Sequence, residues 1–108
     1  MKAEYKEIVA KLGDIKWRKI NIIFSIDEGA IGYDKIEYTD ENNIINSFWI
    51  KFKLIDGLVN SIINLYNSSR SNLAQKFNKY QIEIFPNGDT FENRWWDVEK
   101  DKQDLSEA

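Results

Sequence analysis

The residues best suited to chemistry in this chain are its paired carboxylates: Asp27-Glu28, Asp40-Glu41, and Asp97 with Glu99. Two neighbouring acids can act as a general acid–base pair or hold a divalent cation, provided they converge in an enclosed pocket. All three pairs fall in turn-like or terminal segments, where acids are common and solvated. None has the spacing of a calcium-binding loop. Gly29-Ala30-Ile31-Gly32 follows a strand-like run, but a dinucleotide fingerprint needs a helix after its glycines and a second strand-like run follows here. Ser68-Ser69-Arg70-Ser71 has the composition of an anion-binding loop and reads better as a helix interruption. Histidine and cysteine are absent. That removes the commonest general base near neutral pH, the thiolate nucleophile, every disulfide and the usual zinc sites. The expectation is a protein that is not an enzyme, with no catalytic residue, no cofactor and no metal ligand.

Binding chemistry is the stronger signal. Tyr80–Glu99, YQIEIFPNGDTFENRWWDVE, alternates through Ile82 and Ile84, turns at Pro86-Asn87-Gly88-Asp89, and continues through Phe91, Trp95 and Trp96 among acids. Asn-Gly between alternating runs predicts a β-hairpin. Neighbouring residues on a strand point to opposite faces, so one tryptophan of the pair is expected in the core and the other outside. Aromatic side chains interleaved with carboxylates fit a surface that meets a basic partner, and tryptophan is favoured at binding hot spots.

The elements that position these groups follow from hydrophobic period. Tyr5, Ile8, Val9 and Leu12 form one helical stripe within residues 2–12, and Gly13 suits the left-handed position after a helix. Residues 15–26 predict a strand with Ile20, Ile22, Phe24 and Ile26 on one face, then a turn at Asp27-Glu28-Gly29. Residues 30–39 alternate imperfectly, Ile31 and Tyr33 against Ile36 and Tyr38, which predicts a bulge or a strand with two useful faces. A third strand is expected over residues 44–54, with Phe48, Ile50, Phe52 and Leu54 inward and Trp49 outward. Ile55, Leu58, Val59, Ile62, Ile63 and Tyr66 then form the clearest helical stripe of the chain. Asn67-Ser68-Ser69 is expected to interrupt that helix, with Leu73 and Phe77 resuming it. The closing hairpin completes an α+β fold in the order α-β-β-β-α-β-β, an antiparallel sheet with helices packed on one side. The 108 residues suit a single domain, with residues 98–108 expected to fray.

No apolar run is long enough for a membrane span, and the charged start Met1-Lys2-Ala3-Glu4 lacks the apolar segment of a secretory signal. A cytoplasmic location is the expectation. The net charge of −3 hides alternating blocks: +3 over residues 1–19, −5 over 20–50, +4 over 51–79 and −5 over 80–108. The acidic blocks coincide with the strands, which predicts a negative sheet face beside a positive helix side. An isoelectric point near 5.0, with aromatics among acids, argues against binding nucleic acid and fits a protein that competes with it.

Together, Ile15-Lys16-Trp17-Arg18-Lys19-Ile20 opening a strand, the turn Asp27-Glu28-Gly29, the strand end Ile36-Glu37-Tyr38, the long helix, and the hairpin Tyr80-Gln81-Ile82-Glu83-Ile84 with Asn87-Gly88-Asp89-Thr90-Phe91-Glu92 form a pattern. It resembles the YezG-type immunity proteins (antitoxins) of bacterial polymorphic toxin and contact-dependent inhibition systems, over about residues 17–97. The resemblance implies a small acidic α+β protein that neutralises a cognate toxin domain, often a nuclease, by direct binding that occludes its active site or substrate cleft. A protein-interaction or adaptor domain without a toxin is the alternative. Asp34, Glu37, Trp49, Glu92 and Trp96 are the expected partner contacts, as acids and outward aromatics of the predicted sheet. The expected partner is the toxin's C-terminal domain, with neither nucleic acid nor membrane involved.

Overall fold

The strand β1, Trp17–Asp27, organises the fold because its burial alternates without a break from Ile20 to Ile26. Ile20, Ile22, Phe24 and Ile26 are buried, and the residues between them are only partly so. The computed structural model describes residues 2–28 and 30–99. In chain order these form α1 (Ala3–Ala10), β1, β2 (Ala30–Asp40), β3 (Ile45–Ser47), a 3-10 turn (Phe52–Ile55), α2 (Asp56–Ser69), β4 (Lys79–Ile84) and β5 (Thr90–Trp95). The five strands make one antiparallel sheet in the order β3-β2-β1-β4-β5, an α+β arrangement. β1 sits at the centre although it comes first in sequence.

Antiparallel partners share a face, so the register extends the buried row across the sheet. Ile20 lies between Tyr38 and Ile84, Ile22 between Ile36 and Ile82, and Phe24 between Tyr33 and Tyr80. Tyr5, Ile8 and Leu12 from the α1 region and Leu58, Val59 and Ile62 from α2 join the same buried cluster. Both helices therefore cover one face of the sheet, and among the described residues the other face carries no helical layer.

The imperfect alternation of β2 resolves into one extra residue. Phe24 pairs with Tyr33 and Ile23 with Lys35, so Asp34 is the bulge. The inserted position returns Ile36 and Tyr38 to the face already held by Ile31 and Tyr33. Tyr33 packs against Phe24 at 5.3 Å and Phe52 at 4.8 Å between ring centroids, and its hydroxyl donates to the Ile50 carbonyl at 2.9 Å.

The third strand is much shorter than residues 44–54. After Ser47 the chain leaves the sheet, buries Ile50 and folds into the 3-10 turn, which buries Ile55 and leaves Leu54 46% exposed. A period near three replaces the period of two, so the apolar run reads as a strand in sequence and packs as a turn. Helix α2 continues through Ser69 without the expected interruption. Ser68 and Ser69 hydroxyls donate to the carbonyls of Leu65 and Tyr66 at 3.0 and 3.1 Å, which accommodates both serines in the last turn. The segment holding Leu73 and Phe77 does not resume it: Leu73 is 82% exposed, while Phe77 is buried as the chain enters β4.

The connections use the expected residues. Gly13 and Gly88 have positive φ, +56° and +94°. Asp40 shapes the turn into β3 by accepting hydrogen bonds from the Asn42 and Ile44 amides at 2.8 and 3.0 Å, with Asn43 left-handed at φ +63°. Those amides hold the Asp40 carboxyl below the usual carboxylate range. Gly29 lies outside the described residues; Asp27 and Ala30 face one another across the ladder on either side of it. Most of the expected frayed segment also lies outside them. Val98 is exposed and the Glu99 amide bonds the Asp97 carboxylate at 3.0 Å. Among the described residues, no helix is long and apolar enough to cross a membrane.

Candidate functional site

The uncovered sheet face is where strand alternation places the remaining side chains. Across it, the Gln81 amide donates to Asn21 Oδ1 at 2.8 Å, and the Asn21 amide donates to Glu37 Oε1 at 3.3 Å. This chain of amides joins β4, β1 and β2 on the side away from the helices. Lys19 pairs with Glu83 at 3.2 Å on one flank, and Lys79 with Asp34 at 2.9 Å on the other. Lys79 reaches Asp34 by passing over Ser25, its small cross-strand partner, and its side chain is only 9% exposed. Lys19 and Lys79 are thus each matched to an anion, and paired polar groups cost little to leave uncovered.

That arrangement corrects the expectation of a negative sheet face. Asp34, Glu37 and Glu83 are offset by Lys19, Lys35 and Lys79, because register draws on basic blocks from distant parts of the chain. Acidity is concentrated instead at the β2–β3 end, where residues 30–49 hold Asp34, Glu37, Asp40 and Glu41 against Lys35 alone. Large apolar side chains also point outward there: Ile44 is 57% exposed, Ile45 62% and Trp49 59%. Ile45 pairs with Thr39, and Ser47 with Glu37, which brings Ile45 onto the same face as the acids. Trp49 follows in the segment that leaves β3.

The five expected contacts therefore divide into two groups. Asp34 and Glu37 share the open face, with Trp49 just beyond its β3 border. Glu92 lies on the other face, opposite Ile82 in the ladder, where it accepts hydrogen bonds from the hydroxyls of Tyr5 and, at 2.9 Å, Tyr80. These phenols, with the Lys2 ammonium 3.8 Å away, hold the Glu92 carboxyl below its ordinary pKa against some opposing desolvation. Burial, and then the bond to Glu92, push the Tyr80 phenol up to about 12 and raise Tyr5 as well. Trp96 lies beyond the end of β5, with the Lys76 ammonium 4.1 Å from its ring centre.

Neither tryptophan of the pair matches the expected division into core and surface. Both Trp95 and Trp96 are half-buried, because the strand ends between them and alternation no longer applies. Asn78 secures the chain there: its side chain donates to the Asp97 carbonyl at 3.0 Å and accepts from the Asp97 amide.

Sequence reading missed Asn21, Gln81 and Lys79 as parts of this face. Asn21 and Gln81 carried a usable signal, each being the polar residue between two buried apolar ones. Lys79 carried none, since its partner is 45 positions away. A groove of about 290 Å³ lined by Leu65, Tyr80, Glu92, Asn93 and Arg94 runs beside β5, and Glu92 is the one carboxylate lining it. Among the described residues, no three acids gather in a way that could hold a metal ion. What the geometry offers chemically is recognition: an acidic, aromatic-edged end of an exposed, internally paired sheet face. No protein-family model matches the sequence and no curated protein does, so the reading of this surface rests on its own residues.

Proposed function

We propose that this chain is an immunity protein that binds the toxic domain of a cognate bacterial toxin and neutralises it by occluding the active site or substrate cleft. The observation that carries the reading is the β2–β3 end of the sheet, where Trp49 and Ile45 stand outward beside Asp34 and Glu37. Contiguous exposed apolar groups rimmed by charge are characteristic of interaction surfaces. A carboxylate-rich rim attracts the basic cleft of an enzyme that handles nucleic acid, and accelerates encounter more than it strengthens the final complex. The resemblance of residues 17–97 to YezG-type immunity proteins points the same way.

Asp34 and Glu37 are held in place by Lys79 and Asn21, so little conformational entropy is lost when a partner engages them. Trp49 supplies the apolar anchor, and Glu92 and Trp96 belong to the opposite end and outside this contact. The test is co-expression with the product of the adjacent open reading frame. Rescue of growth and co-purification are expected, with Trp49→Ala and Glu37→Lys each weakening the complex by at least about tenfold. A complex that forms without any toxicity to relieve would indicate an adaptor. A complex indifferent to both substitutions would place the contact elsewhere.

A further inference from the structure

The two outer strands of the sheet differ in kind. β3 is three residues long, whereas β5 runs six residues, Thr90–Trp95, and is exposed along all but its last position. Among the described residues β5 pairs with β4 alone. The Phe85 amide donates to the Asp89 carbonyl at 2.9 Å, which sets the phase of the hairpin. By alternation Phe91, Asn93 and Trp95 direct their backbone groups to β4, while Thr90, Glu92 and Arg94 direct N–H and C=O outward. An open edge of this length is a template for another strand, and proteins usually block it with lysine, proline or a bulge. Thr90–Trp95 contains no lysine or proline, and its pairing with β4 runs without a register shift. Its two charges, Glu92 and Arg94, are opposite in sign and can pair across a two-fold axis.

The edge is also self-complementary. Phe91-Glu92-Asn93-Arg94-Trp95 reads aromatic, acid, amide, base, aromatic, a palindrome of chemical type about Asn93. We propose that β5 is a homodimer edge: two copies pair antiparallel through it, about a two-fold axis at Asn93, and join their sheets into one. Glu92 then faces Arg94 of the second copy, and Phe91 faces its Trp95, each twice by symmetry. Facing residues must share a sheet face, so the axis falls on a residue. Moving it to Glu92 opposes two carboxylates, and moving it to Arg94 opposes two guanidinium groups. Asn93 is the centre that satisfies the charges.

The surroundings suit this register. Glu92 and Arg94 are the outward-bonding residues, so they supply the backbone bonds as well as the ion pairs. The groove of about 290 Å³ beside Glu92 receives Arg94 of the second copy on the helix side. A second groove, of about 320 Å³ and including Phe85 and Phe91, receives its Trp95 on the open side. One short strand per copy makes a small interface, so the dimer is weak and concentration-dependent. The β2–β3 ends lie furthest from the axis and remain free. The dimer does not depend on the proposed function.

Sedimentation velocity of the full chain tests the pairing, with a monomer–dimer equilibrium expected at high micromolar concentration. Phe91→Lys and Arg94→Glu should each weaken dimerisation by at least about tenfold with unchanged circular dichroism. Asn93→Cys reads the register directly, since the chain has no other thiol. Residues facing each other in a non-hydrogen-bonded pair have Cα atoms about 4.5 Å apart, within reach of a disulfide. Oxidised Asn93→Cys should run as a covalent dimer, and oxidised Thr90→Cys, placed opposite Trp96, should not. A wild type that stays monomeric overturns the proposal, and capture of a toxin strand by β5 would then assign the edge to that partner. A dimer insensitive to both charge and aromatic substitutions, or one cross-linked at Thr90→Cys and not at Asn93→Cys, overturns it equally.

Discussion

Replacing Glu92 by glutamine keeps the shape of the side chain and removes the charge that two phenols address. Tyr5 brings α1 to this carboxylate and Tyr80 brings β4, so Glu92 joins the first helix to the last hairpin across most of the chain's length. A hydrogen bond to a charged group contributes about 1.5–3 kcal/mol when desolvated. The Glu92 side chain is 39% exposed, and solvent screening lowers each bond to about 1 kcal/mol. Glutamine retains one acceptor oxygen, so the expected loss for Glu92→Gln is about 1–2 kcal/mol. Urea unfolding of dilute protein measures it, with Tyr5→Phe and the double variant completing a cycle. The double variant should lose less than the sum of the two. The pH dependence supplies an independent sign. The Glu92 carboxyl titrates below its ordinary value in the folded state. Its contribution is therefore complete above the unfolded pKa and disappears as pH falls through the folded one. The gap between wild type and Glu92→Gln should be constant near neutrality and close below about pH 4. Strict additivity in the cycle, or a gap that persists in acid, would show that the phenols bond to the site without depending on its charge.

Ile22→Ala removes a fully buried side chain flanked by Ile36 and Ile82 at the centre of the sheet, and should cost about 3 kcal/mol with an unchanged urea m-value. The Lys79–Asp34 pair should respond asymmetrically, because Lys79 is nearly enclosed and Asp34 is half exposed. Asp34→Ala strands the ammonium and should destabilise by about 2 kcal/mol, while Lys79→Met releases an accessible carboxylate to water and should cost less than about 1 kcal/mol. Equal effects in thermal melts would mean that the lysine escapes to solvent.

Local signals in the chain predicted its regular elements well. The alternation of β1, the stripe of Tyr5, Ile8 and Leu12, the glycine turns and the hairpin about Asn87-Gly88 all reflect contacts within a few residues. The bulge in β2 was legible as a broken alternation, though its position was not. The failures occurred where a distant contact decides. Phe48–Leu54 is strand-like in composition, and its turn is settled by packing on Phe24 and Tyr33. Asp34 and Glu37 are legible as surface acids, but the ion pair of Asp34 with Lys79 and the hydrogen bond of Glu37 with Asn21 depend on the register of three strands. Glu92 was judged by its acidic neighbours. Its environment is instead set by Tyr5, 87 positions earlier, which no window on the sequence contains.

The bulge ties the architecture of β2 to its surface. If Asp34 paired regularly with Ile23, every residue from Lys35 onward would slip by one, and Ile36 and Tyr38 would leave the face held by Ile31 and Tyr33. The bulge avoids that slip while Tyr33 keeps its ring on Phe24 and Phe52 and its hydroxyl on the Ile50 carbonyl. The extra residue lets one strand serve the core at both ends while presenting Asp34 and Glu37 outward. Deletion of Asp34 leaves Tyr33 opposite Phe24 and Lys35 opposite Ile23, so deletion and Asp34→Ala both remove the partner of Lys79 and should cost similar amounts. Every buried partner keeps its place, so deletion should add only local repacking of the former bulge to the loss caused by Asp34→Ala. A far larger loss in urea unfolding would show that the bulge geometry itself is needed.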